Sequence, residues 1–281
     1  MSKSILITGA SGVLGRTVVK VFAAAGVNVR QGVRKLQSAT SGLPAVRWDY
    51  AEPATIGPVL EEVDALFLMA PPLDPDAPGK LAPVIAAAKG SGLSHIILLS
   101  AFGANYSEQA PLRIIEHMVM DSGIPYTILR PNFFMENFSE GFLAASIKNQ
   151  HGIFLAAGDA KTSFISAEDI AAVGLTAFQK QLAGAEYDLT GPEALDHTDA
   201  ARMISEAAGH TVTYHALTEQ QMADGARAAG MPDGNIAYLV MLYGVVRAGY
   251  SSGITPVVEE VTGRPAVRFA EFAKANAEAW R

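Results

Sequence analysis

The stretch Thr8-Gly9-Ala10-Ser11-Gly12-Val13-Leu14-Gly15 sets three glycines at intervals of three. It begins where the apolar run 5–8 ends and opens an Ala- and Val-rich segment, 13–25, closed by Gly26. In a strand–turn–helix setting, such a triplet permits a tight turn, a close backbone approach to a pyrophosphate and close packing of helix on strand. The helix start adds free N–H groups and the positive end of the helix dipole, both of which favour phosphate. Gly9, Ser11, Gly12, Val13, Leu14 and Gly15 are therefore candidate contacts to a dinucleotide.

A dinucleotide site selective for the unphosphorylated ribose places a carboxylate about 20 residues further on, at the end of the second strand. Here that region reads Val29-Arg30-Gln31-Gly32-Val33-Arg34-Lys35, with no acid in it. Arg34 and Lys35 stand where a ribose 2′-phosphate would lie, and a guanidinium binds phosphate through two parallel hydrogen bonds. The pattern predicts NADP(H) in preference to NAD(H). Asp49, followed by Tyr50, is placed to meet the adenine amino group while the ring packs on the base; an aspartate that merely caps a turn accounts for it equally well. Met69-Ala70-Pro71 closes the fourth expected strand, on the edge of the sheet where open α/β folds bind ligands.

Composition narrows the remaining options. The chain has 281 residues, of which 49% are hydrophobic and 17% charged, with a formal net charge of −7. That is enough apolar material for a large core, and an acidic balance unsuited to a nucleic-acid partner. Yet Lys3, Arg16, Lys20, Arg30, Arg34, Lys35 and Arg47 precede the first carboxylate, Asp49. The segment that carries the glycine triplet is thus wholly cationic. There is no cysteine, so disulfides, thiolate metal sites and thiol nucleophiles are excluded. The six histidines show no paired spacing with carboxylates of the metal-binding kind. There is no Gly-x-Ser-x-Gly elbow and no Walker lysine. Apolar runs too short for a membrane span, and an N-terminus without a signal-peptide core, lead to an expected cytoplasmic location.

Short, continuously apolar runs alternate with longer helical patterns through residue 131, the signature of strands buried on both faces of a parallel sheet. The expected fold is α/β: a Rossmann-like doubly wound parallel sheet over 1–131, followed by a smaller, mainly helical lobe over 132–281. Some strands of that lobe are expected to complete the sheet. The aromatic-rich segment 132–148 reads as a helix, and 152–156, 162–165, 185–190 and 211–215 as strands.

Together with 8–15, Arg34 and Asp49, three further stretches carry a family resemblance: Ser100-Ala101-Phe102-Gly103-Ala104, the run 126–138 around Arg130-Pro131-Asn132-Phe133-Phe134-Met135-Glu136-Asn137, and Phe164-Ile165-Ser166-Ala167-Glu168-Asp169. The chain resembles the NmrA-like branch of the atypical short-chain dehydrogenases/reductases, and its reductases of triphenylmethane dyes and quinones in particular. The resemblance implies a nicotinamide near Ser100, Ala101, Phe102, Pro131, Asn132 and Phe133, and a small-molecule substrate held in a cleft between the lobes.

One departure is informative. Most short-chain dehydrogenases use a tyrosine with a lysine four residues later to exchange a proton, but none of the eight tyrosines here has Lys at that position. Two readings follow. In the first, hydride passes from NADPH to a substrate that is already electrophilic, such as a quinone, an imine or iminium, a cationic dye or an azo compound, with Tyr106 or His117 as candidate proton donors. In the second, the fold senses NADP(H) and binds a protein partner, as the namesake NmrA regulators do.

Overall fold

The computed structural model describes residues 3–281 and divides into two compact units. The first unit comprises residues up to Pro72 together with Asp76–Pro131 and Ala167–Asp188. Its strands are β1 (Ser4–Ile7), β2 (Asn28–Val33), β3 (Ala45–Arg47), β4 (Ala65–Met69), β5 (His95–Leu99) and β6 (Tyr126–Pro131). In the second unit a two-stranded sheet pairs β7 (Gly152–Leu155) with β9 (Thr213–Ala216), while β8 (Ala185–Leu189) returns to the first. Among the described residues, the main sheet has the order β3-β2-β1-β4-β5-β6-β8, with β1 through β6 paired in parallel. The order reverses between β1 and β4. There the carboxyl ends of two neighbouring strands turn away from each other and leave a crevice.

The strands of this sheet are apolar on both faces because helices cover both. Val18, Val19 and Phe22 of α1 (Val13–Ala24) and Phe178 of α6 (Ala167–Lys180) pack on one face, Phe22 meeting Phe67 edge-on at 6.1 Å and Phe178 at 5.9 Å. The other face buries Leu6, Leu66, Leu68, Ile96, Leu98 and Ile128. It lies under α2 (Gly57–Leu60), α3 (Ala77–Gly90) and α4 (Pro111–Met120).

The second unit comprises Leu73–Pro75, Asn132–Ser166 and Leu189–Arg281. It holds α5 (Ala144–Gln150), α7 (His197–Ala208), α8 (Glu219–Ala228), α9 (Asp233–Arg247), α10 (Val257–Thr262) and α11 (Phe269–Ala275). Its core gathers Phe138, Phe164, Tyr243, Phe269 and Trp280, whose indole N–H donates to the Phe138 carbonyl at 2.7 Å.

The long helix expected over 132–148 does not form. The Met135 N–H and Phe133 carbonyl instead pair with Ile165, thirty residues away, at 2.9 and 3.0 Å. A single 3-10 turn, Met135–Asn137, follows, and helix resumes only at Ala144. The strand expected over 162–165 is likewise reduced to two isolated bridges, Phe134 with Ile165 and Thr162 with Leu195. Among the described residues, no helix is long and apolar enough to cross a membrane.

Candidate functional site

The glycine loop occupies the carboxyl end of β1, at the crevice. Gly9 adopts φ +60°, in the left-handed region. A Cβ on Gly15 would lie 2.0 Å from the Gly9 carbonyl oxygen, so only glycine lets α1 start this close to the turn. The first turn of α1 has N–H groups with no intrahelical acceptor, and no acidic side chain stands in it. Arg16 donates to the Ser11 carbonyl at 2.8 Å and closes the loop from outside.

Beside the loop lies a cavity of about 530 Å³ lined by Ser11, Arg34, Lys35, Ser38, Arg47 and Asp49. Parallel pairing of β2 with β3 puts Val33 opposite Arg47, which brings Arg47 level with the Arg34-Lys35 step. Ser38 comes from the 3-10 turn Leu36–Ser38 just beyond. Three cations and two hydroxyls therefore face one carboxylate. Arg47 is also paired with Glu52 at 2.6 Å, and Asp49 Oδ1 accepts from the Ala51 N–H at 3.0 Å. Sequence reasoning found Ser11, Arg34, Lys35 and Asp49 but missed Ser38 and Arg47. The cavity thus offers mostly cationic and hydroxyl donors, the groups that bind anionic oxygens, beside a single carboxylate.

Tyr50 lies next to this cavity in the chain but is not part of its lining. Its hydroxyl donates to the Met69 carbonyl at 2.5 Å and lies 3.3 Å from Thr8 Oγ1, while its ring meets Trp48 edge-on. Burial raises the phenol pKa. Thr8, wholly buried, also accepts from the Met69 N–H at 2.8 Å. Tyr50 and Thr8 thus pin the ends of β1 and β4 together, and Met69, Ala70 and Pro71 continue from that pinned edge.

The next strand ends in a buried charge network that sequence reasoning missed. Ser100, immediately after β5, donates its hydroxyl proton to Glu116 Oε1 at 2.5 Å. Arg130 spans the same carboxylate, Nε to Oε1 and Nη2 to Oε2, both at 2.8 Å, and Arg113 reaches Oε2 at 2.9 Å. Arg130 also pairs with Glu186, and its guanidinium lies 3.7 Å from Asp188. The Glu116 side chain is wholly buried. Burial opposes its charge, but the hydrogen bonds from Arg130, Ser100 and Arg113 outweigh that and hold its pKa below the usual carboxylate value. Asp188 shifts the other way, because burial dominates there. One signal was available: Glu116 falls on the apolar face of α4, beside Leu112, Ile115 and Val119.

The loop after Ser100 is tied to β6, with the Phe102 N–H on the Pro131 carbonyl at 2.9 Å. Ala101 and Phe102 are half-buried there. Tyr106 ends a 3-10 turn in this loop, with 62% of its surface exposed and its ring edge-on to Phe102 at 6.5 Å. His117 is on α4, its Nε2 2.6 Å from the carboxylate of Glu108.

In the second unit, Asn132 is buried with both amide hydrogens committed, to Ser163 Oγ and to the Ser251 carbonyl, each at 2.8 Å. Phe133 is half-buried and packs against Tyr243 at 5.8 Å. His197 is enclosed by Phe138, Phe164, Tyr214 and Tyr243, and burial pulls its pKa down to about 4. Among the described residues, no cluster of three or more histidine, aspartate or glutamate side chains is arranged to hold a metal ion.

Comparison with known proteins gives a consistent picture. A profile of the NmrA-like family matches residues 1–264. The chain is 34% identical over 289 residues to an NAD(P)H azoreductase of Xenophilus azovorans, covering 98% of this chain and 99% of that one. It is 33% identical over 279 residues to prestalk A differentiation protein A of Dictyostelium discoideum, covering 96% and 91%. The crystal structure of an NADPH-dependent quinone oxidoreductase from Escherichia coli, complexed with NADPH, superposes with a TM-score of 0.82 at 27% identity, over 96% of this chain and 99% of that one.

Proposed function

The chain belongs to the NmrA-like family, and from that premise we propose that it is an NADPH-dependent oxidoreductase reducing a small, hydrophobic electrophile: a quinone, an imine or iminium, a cationic dye or an azo compound. The observation that carries the cofactor choice is the cavity in which Arg34, Lys35 and Arg47 gather with Ser11 and Ser38 beside the acid-free start of α1. Bound NADPH supplies the hydride. The chain holds its phosphates with the 9–15 loop and its 2′-phosphate with the three cations. Asp49 remains the proposed partner of the adenine amino group, and Tyr50 supports the site by pinning the strand ends beneath it.

The substrate class is supported by two features. There is no Tyr–Lys pair to protonate a reluctant carbonyl, and the relative with 34% identity is named an azoreductase. Where a proton is needed, Tyr106 is the proposed donor, since it stands in the loop that follows Ser100. His117 ranks second, because Glu108 already engages its ring. Both act on a substrate that needs little activation beyond proximity to the reductant.

The test is NADPH oxidation against a panel of quinones, azo compounds, imines and cationic dyes. Turnover on at least one class is expected. Tight NADP(H) binding without turnover on any would favour the sensor reading, in which the fold binds dinucleotide and a protein partner. For the cofactor, Arg34→Ala should weaken NADPH by about 10- to 100-fold, the scale of a charged hydrogen-bond pair, and hardly alter NADH. Equal losses would contradict the preference.

A further inference from the structure

β2 and β3 are parallel neighbours, so the chain must travel back along the sheet between them. Such returns usually take a dozen residues or more and usually contain an α-helix, which satisfies its own backbone groups. α1, α3 and α4 do this between β1 and β2, β4 and β5, and β5 and β6. Residues 34–44 hold instead one 3-10 turn, Leu36–Ser38. The rest of this segment needs partners from elsewhere, and Gln31 supplies them. Its Nε2 donates to the Thr40 carbonyl at 3.0 Å and to the Leu43 carbonyl at 3.4 Å, and its Oε1 accepts the Thr40 N–H at 2.8 Å. Its own N–H donates to the Pro44 carbonyl at 2.9 Å. Gln31 is wholly buried in β2, between Val29 and Val33 on the same face of the strand, where a third apolar residue would serve the sheet as well. A buried amide is tolerated there because it is hydrogen-bonded.

Arg34, Lys35 and Ser38, three of the six residues around the cavity, all lie between the end of β2 and this clamp at Thr40. Arg47 and Asp49 belong to β3 and the residues after it, and Ser11 to the glycine loop. Resting on the cofactor reading above, we propose that Gln31 is the positioning residue for cofactor selectivity: by tying Thr40 to β2 it holds Arg34, Lys35 and Ser38 in place for the 2′-phosphate, without touching the ligand itself. Two adjacent cations beside Arg47 repel it and each other, and a segment free to move would carry them apart. A ligand phosphate would then have to order the segment as it binds, which lowers affinity. A bare ribose, which makes no use of the cations, is spared that loss. The preference is thus set from outside the cavity lining, by a neutral amide.

Binding titrations with NADPH, NADH and 2′,5′-ADP on the full chain test this, together with the rate of trypsin cleavage after Arg34 and Lys35, which needs no cofactor. Gln31→Leu keeps the strand apolar and removes all three side-chain hydrogen bonds. It should weaken NADPH and 2′,5′-ADP by about five- to tenfold, the scale of one net hydrogen bond. NADH binding should stay nearly unchanged, and cleavage of the freed segment should become faster. Thr40→Pro removes the N–H that Gln31 accepts, at an exposed position whose predecessor, Ala39, has φ −75° and ψ 150°, a conformation suited to a following proline. It covers the case in which Gln31→Leu does not fold, and the same three changes are expected of it. An unchanged ratio of NADPH to NADH affinity in the folded variants overturns the proposal. So do equal losses for both cofactors, which mark a general structural role, and a cleavage rate that stays at its natural value. If the natural chain binds neither NADPH nor 2′,5′-ADP, the cofactor reading itself fails and the selectivity role with it, while the cleavage rates still report whether Gln31 holds the segment.

Discussion

Gly15 lies directly against the Gly9 carbonyl, with only 2.0 Å available for any Cβ. The start of α1 and the turn before it are therefore one packed object, and the unpaired N–H groups of the first turn inherit their positions from that contact. Gly15→Ala must push the helix away from the loop. The expected result is loss of NADPH binding together with a lower thermal midpoint, since overpacking costs about 1–3 kcal/mol. Cofactor fluorescence and thermal unfolding check both, and unaltered NADPH binding in this variant would count against the loop as the phosphate site.

Removing one side of the buried pair should cost more than removing both. Arg130→Met leaves Glu116 charged, enclosed and only partly compensated, an arrangement that destabilises by about 3–5 kcal/mol. Adding Glu116→Leu to that variant should restore a good part of the loss. Urea unfolding of the two single variants and the double variant measures the coupling.

Tyr50→Phe leaves the Met69 carbonyl without its hydroxyl donor. A loss of about 1–2 kcal/mol in unfolding free energy is expected. NADPH affinity should stay close to its original value, because the phenol oxygen points to the strand ends and not to the cavity.

Two histidines give the fold a defined acid limit. Burial pulls His95 and His197 each down to about 4 from an ordinary 6.5. The unfolded chain therefore binds more protons than the folded one between those values. Stability from this source is complete above pH 6.5 and is lost as the pH falls toward 4, by about 3 kcal/mol for each group. Thermal midpoints measured across that window should fall, and His197→Phe, which suits an aromatic enclosure, should flatten the slope.

What could be read from the sequence was local. The glycine triplet, the doubly buried strands and the cationic step at Arg34-Lys35 are each visible within one short window; the fold sets the triplet between β1 and α1 and the step just past β2. What escaped depends on partners distant in the chain. Arg47 joins Arg34 only through the parallel register of β2 and β3. The helical composition of 132–148 loses to pairing with Ile165, and a Cβ on Gly141 would lie 2.7 Å from the Asn137 Cα, which marks the tight turn taken there. Glu116 shows in the sequence only as an acid on the apolar face of α4, and its role appears once Arg130 and Ser100 are seen on either side of it.

The path of the chain between the two units has a practical consequence. The first unit draws its last strand and the helix over Phe22 from residues 167–188, well past the point where its first six strands end. A fragment cut after Pro131 would keep every residue of the glycine loop and the cationic cavity. It would nonetheless leave β6 as an open edge and uncover the aromatic face at Phe22 and Phe67. Such a piece should aggregate before it can be tested for binding. Dissection of this protein therefore has to proceed by point substitution in the intact chain, or by circular permutation that keeps 167–188 with the unit it completes.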